Sequence, residues 1–160
     1  MTIRLLFLLA LALTFSNTAY SQKVDKMPPK VKYDAELAKK LGADERGMKS
    51  YVLVILKTGP KDGDVKGKER DDIFAGHMAN IGRLADEGKL AVAGPFMQND
   101  KGFRGLYIFN CQTVSEAQNI VETDPAVKSG ILIADMTPWY GSASLMATPE
   151  IHKTIAKTNP

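Results

Sequence analysis

Two residues far apart in the sequence are set to do acid–base chemistry. His77 lies four residues after Ile73 and four before Ile81, within a run where Ile73, Phe74, Ile81, Leu84 and Ala85 recur at helical spacing. That spacing turns the imidazole inward with the apolar side chains. An unpaired polar group in such surroundings costs roughly 1–3 kcal/mol, so His77 must be hydrogen-bonded or line a cavity. Asp124 extends the stripe Val114, Ala117, Val121 of a second helix and faces inward in the same way. A carboxylate beside an imidazole favours the imidazolium and fixes which ring nitrogen carries the proton, while burial acts in the opposite direction. The expectation is a histidine that takes and returns a proton near neutral pH, beside a hollow large enough for a metabolite. Such a group suits proton abstraction next to a carbonyl, as in isomerisation or HX elimination. Taken singly, each residue has a plainer reading. His77 is then a satisfied core histidine, and Asp124 a helix-end carboxylate tied to local backbone or Lys128.

The elements that must bring the pair together follow from periodicity. Ser50–Lys57 contains Tyr51-Val52-Leu53-Val54-Ile55-Leu56 and is closed by Gly59-Pro60, which predicts a strand. It does not alternate, so both of its faces are expected to be covered. The His77 helix spans Arg70–Gly88. Lys89–Phe96 and Arg104–Asn110 form a hairpin around the turn residues of Met97–Gly102. Thr113-Val114-Ser115-Glu116 reads as a capping box opening the second helix, which Pro125 ends or bends at Asp124. Ile131–Trp139 is the last strand. The order βαββαβ predicts an α+β, ferredoxin-like domain, a four-stranded antiparallel sheet with both helices on one face. The other face is then apolar and bare, which predicts a homodimer packed sheet on sheet, unless the N-terminal arm or the C-terminal tail covers it.

The flanks read differently. Residues 1–21 look like a cleaved export signal: Arg4, the apolar run Leu5–Phe15, and Ala19-Tyr20-Ser21 before Gln22. The alternative is an uncut N-terminal anchor. Cleavage removes only Arg4 and lowers the formal net charge from +3 to +2, too little for a nucleic-acid or anionic-membrane footprint. The product is expected to be periplasmic or secreted, with no membrane contact after cleavage. Residues 22–47 form a Lys-rich arm with a possible short helix at Asp34–Leu41 closed by Gly42; 48–140 form the domain; 141–160 form a tail that is loose or adds a helical turn near Glu150–Ala156. The single cysteine, Cys111, makes no internal disulfide and reads as a half-buried residue at a strand end.

Other chemistries lack their residues. With two histidines, one of them His152 in the tail, and no paired His or Cys spacing, no metal site is predicted. There is no glycine-rich phosphate loop and no nucleophile elbow, and no cofactor is implied. Arg70, two turns before His77, either binds a substrate carboxylate or is a solvated helix-start arginine. Trp139 and Tyr140 either wall a substrate pocket or pack in the core or a dimer contact.

Tyr51–Lys57, the inward His77, Glu87-Gly88-Lys89-Leu90, Ala93-Gly94-Pro95-Phe96, Arg104-Gly105-Leu106-Tyr107 and Asp124-Pro125 with Gly130 together resemble the YCII-related (YciI-like) proteins over about Met48–Tyr140. The resemblance implies a dimeric α+β barrel of ferredoxin-like subunits. It implies an active-site cleft with a His–Asp pair, which falls on His77 and Asp124. Gly94 and Pro95 match the strand-end motif beside that cleft. The family is similar in fold to muconolactone isomerases and includes a dehydrochlorinase of hydroxylated chloro-aromatics. The export signal and the extensions on both sides depart from the family pattern. The leading expectation is a cofactor-independent lyase or isomerase acting on a small cyclic or aromatic molecule. A non-catalytic dimer that binds a small ligand or a protein is the alternative, and cofactor-free oxygenation a third reading without a distinguishing residue.

Overall fold

The structure, a computed structural model, describes residues 31–158. The predicted export signal and the start of the arm lie outside the described residues. The fold below belongs to the unit Tyr33–Pro160.

A short helix, α1 (Ala35–Leu41), is capped by Asp34, whose side chain accepts from Leu37 N, and is closed by Gly42 in the left-handed region at φ 70°. Strand β1 (Met48–Thr58) follows and is central, because its β-branched run is shielded on both sides by neighbouring strands. Then come α2 (Gly67–Asp86), β2 (Leu90–Pro95), β3 (Phe103–Phe109), α3 (Val114–Val121), a one-turn helix α4 (Pro125–Lys128) and β4 (Leu132–Ser142). The sheet order is β2-β3-β1-β4 and every pairing is antiparallel. This is the expected ferredoxin-like arrangement. The capping box is formed: Glu116 N donates to Thr113 Oγ1 at 3.1 Å, and Thr113 N donates back to Glu116 Oε2 at 3.2 Å.

The main core lies between the sheet and the helices. Val52, Val54 and Leu56 of β1 and Tyr107 and Phe109 of β3 pack with Leu84, Ala117, Val121 and Ala126. Among the described residues, the opposite face is covered at one end only. There a 3-10 helix at Ala143–Ala147 sets Leu145 and Met146 against Tyr51, Ala91 and Ile108. The chain ends in α5 (Thr148–Ile155), joined to α2 by Lys153–Asp86 at 3.0 Å. The rest of this face stays open: Leu53, Ile55 and Leu106 are half-buried, and Ile133 and Trp139 are 46% and 39% exposed.

Two local expectations need correction. The second helix does not run to Asp124. It ends at Val121, and Pro125 starts α4 rather than only stopping α3. Proline suits the first helical position because its fixed φ is already helical and no N–H is lost there. Asp124 is therefore the cap of a new helix. The last strand also runs three residues beyond Trp139, because Ser142 still pairs with Met48.

Candidate active site

His77 projects from the sheet-facing side of α2 and is 9% exposed. Its Nδ1 lies 2.8 Å from Asp124 Oδ2 and 3.0 Å from Oδ1. Asp124 is fully buried and reaches the imidazole from the cap of α4. A third partner joins from β3. Tyr107 Oη donates to Asp124 Oδ2 at 2.9 Å and lies 3.4 Å from His77 Nδ1. Ala126 N donates to Asp124 Oδ1 at 2.9 Å. The buried carboxylate is thus surrounded by donors, as a charge in a dry site must be. Burial, and then the Asp124 carboxylate, push the Tyr107 phenol well above its ordinary range, so it stays a donor. The tautomer that carries its proton on Nδ1 satisfies this contact with the carboxylate oxygens and leaves Nε2 outside it.

The sequence brings these groups together through close packing. Gly76 precedes His77, and a Cβ there would sit 3.0 Å from Pro125 Cγ, so glycine lets α2 approach α4. One turn further on, Asn80 Oδ1 accepts from Arg83 Nη2 at 2.6 Å and from Thr123 Oγ1 at 3.0 Å. That clamp fixes α2 to the residue before Asp124. Phe74 meets the imidazole edge-on at 5.8 Å, and Tyr107 stacks on Phe109 at 5.3 Å. Among the described residues there is no cluster of three or more His, Cys, Asp or Glu side chains able to hold a metal.

The sequence model of the YCII-related domain matches residues 51–139, over half of the chain, and takes in both His77 and Asp124. The chain belongs to the YCII-related family. Among solved structures, this YCII-related protein is similar to 5-chloro-2-hydroxyhydroquinone dehydrochlorinase (TftG) from Burkholderia phenoliruptrix AC1100, in complex with 2,5-dihydroxybenzoquinone. The two are 25% identical, the match covers 56% of this chain and 92% of that one, and the TM-score is 0.41. No curated protein matches the sequence.

The other expected site residues of this YCII-related chain are scattered. Gly94 and Pro95 end β2 and are exposed. They face Leu106 and Gly105, next to the register position where Ala93 meets Tyr107. Arg70 is neither solvated nor a free cation, because its guanidinium holds Asp62. Trp139 does not wall the His77 site. It stacks on Tyr51 at 5.8 Å, on the sheet face turned away from the helices, because side chains alternate along β4 from the inward Leu132 and Ala134. Tyr140 instead bonds Asp44 through its hydroxyl. An open cleft of about 940 Å³ lies elsewhere, lined by Met48, Lys49, Asn110, Glu116, Asn119 and Tyr140, and contains neither His77 nor Asp124. The hollow expected beside the pair is therefore not this cleft. His77 meets solvent only through the 11% of its side chain that remains exposed. Among the described residues no helix is long and apolar enough to cross a membrane.

Proposed function

We propose that this YCII-related protein is a cofactor-independent lyase or isomerase that moves a proton on a small cyclic or aromatic molecule. His77 acts as general base and acid through Nε2, Asp124 orients it, and Tyr107 holds Asp124. The observation that supports this most is the contact of His77 Nδ1 with both oxygens of a fully buried carboxylate, at 2.8 Å and 3.0 Å. A carboxylate so held fixes the tautomer and stabilises the imidazolium formed on proton uptake. The active form is a homodimer in which two copies pack their open sheet faces, burying Leu53, Ile55, Leu106, Ile133 and Trp139. A patch of this kind is seldom left in water. The residues of 1–21 favour export to the periplasm or medium.

One observation favours the non-catalytic reading. Asp124 also caps α4, so the same carboxylate has a purely structural use. The two readings part in one experiment. The protein is incubated in D2O with a panel of cyclic ketones, lactones and hydroxylated chloro-aromatics, and C–H exchange and chloride release are followed by NMR and ion chromatography. The catalytic reading expects turnover of a panel member, and a loss of roughly two to four orders of magnitude in a folded His77→Ala variant. Turnover unchanged in that variant removes the acid–base role.

A further inference from the structure

Two arginines converge on one acid at the start of α2. Asp62, in the loop between β1 and α2, accepts from Arg70 Nη2 at 2.7 Å through Oδ1, and Arg104 Nη1 lies 3.5 Å from Oδ2. Arg70 is held further by Asp62 O at 2.9 Å and Val65 O at 3.4 Å. Its guanidinium covers the Phe74 ring at 5.1 Å, and Phe74 touches the His77 imidazole edge-on. A continuous line of contact therefore joins this cluster to the His77–Asp124 pair, across two helical turns or about 10 Å.

The charges in the cluster do not balance. One carboxylate faces two guanidinium groups, so a positive charge is left over. It resides on Arg104, which among the described residues has a single loose ionic contact and a side chain 38% exposed, against 26% for Arg70 and 24% for Asp62. The backbone explains how a strand residue reaches this position. The β1–β3 register passes from Leu56↔Gly105 to Lys57↔Phe103, which leaves Arg104 unpaired across β1. Such a bulge bends the strand and re-aims the side chain. Phe96 N donates to Arg104 O at 3.0 Å and fixes the bulge next to Gly94 and Pro95.

We propose that Arg104 is a substrate-binding residue that takes the carboxylate of the molecule processed at His77, with Arg70 as a positioning residue and Asp62 as the internal carboxylate that the substrate's own displaces. The forked guanidinium matches a carboxylate in two parallel bonds and sets its orientation as well as its affinity. The assignment rests on the catalytic reading of His77 and Asp124, and it narrows the substrate class to small cyclic acids.

Benzoate and its uncharged analogue benzamide serve as probes, titrated into the isotope-labelled full chain at low salt and followed by NMR. Benzoate is expected to bind roughly tenfold tighter than benzamide and to shift the signals of Arg104, Phe74 and His77. Arg104→Met should abolish that preference, and Arg104→Lys, with charge but no fork, should keep part of it. Asp62→Asn should tighten benzoate binding by freeing a guanidinium, whereas a purely structural cluster would show weaker binding or none. If Arg104→Met fails to fold, the lysine and Asp62→Asn variants decide. A folded His77→Ala variant should keep the preference for benzoate over benzamide, since that preference belongs to Arg104, so failure of the acid–base reading appears in turnover and not in this ratio. Equal affinity for the two probes, a preference that survives Arg104→Met, or shifts confined to residues away from Phe74 and His77 would overturn the proposal.

Discussion

Removing one oxygen from Tyr107 isolates what the third partner contributes. Tyr107→Phe keeps the ring and its stacking on Phe109 at 5.3 Å, so no cavity opens. What is lost is one hydrogen bond of 2.9 Å to a fully buried carboxylate. Bonds to charged groups contribute about 1.5–3 kcal/mol. Asp124 keeps His77 Nδ1 and Ala126 N as donors, so the carboxylate is not orphaned, and the lower half of that range applies. The expected loss is therefore about 2 kcal/mol. Urea unfolding with paired measurements on the two proteins reads it directly: the midpoint should fall by about 1 M with the slope unchanged. If Tyr107 also holds the pair in a reactive arrangement, turnover should fall in the folded variant. A loss under about 0.5 kcal/mol would mean that the buried carboxylate does not need the phenol.

Other consequences are as sharp. Gly59→Ala should destabilise the protein by about 3 kcal/mol, read as a drop in Tm, because the added Cβ would come within 2.8 Å of Ile131 O and closer still to Gly130 O, both backbone atoms that cannot swing aside. Burial, and then the Glu116 carboxylate, raise the Cys111 thiol from 9.0 to about 11. Below that value the thiolate fraction falls tenfold per pH unit, so at pH 7 iodoacetamide should label native Cys111 about a hundredfold more slowly than the unfolded chain. The rate should climb as pH approaches the raised value. Equal rates would show that the thiol is not shielded.

Much of this arrangement was legible from residue spacing. Helical periodicity turned His77 inward, and the Val114, Ala117, Val121 stripe pointed to Asp124, although the chain reaches that position by capping a new helix rather than by continuing the old one. The capping box and the βαββαβ order followed from local preferences that agree with the packing. What stayed hidden depends on register. Alternation says that Tyr107 faces the helices, but only the pairing of β3 with its neighbours carries its hydroxyl to Asp124. Arg104 depends on a bulge, which leaves no mark in a hydrophobic pattern. Gly76 carries no signal in the helical pattern, because its use depends on Pro125 packing against it from a distant part of the chain. The face of Trp139 was readable in principle, since it has opposite parity to Leu132 and Ala134 along one strand, and a pocket role on the helix side conflicts with that parity. Cover of the sheet by the C-terminal tail was among the readings, and Leu145 and Met146 supply it at one end, but they carry no strong pattern of their own to mark which residues do so.

Acid–base chemistry at His77 depends on which ring nitrogen handles the proton. A nitrogen-15 NMR titration of the imidazole measures this without knowledge of the substrate. Nδ1 should keep its proton throughout, locked on Asp124, while Nε2 gains and loses one. A proton that comes and goes on Nδ1, or an Nε2 that never changes state while the protein stays folded, would rule out His77 as the acid–base group in this geometry.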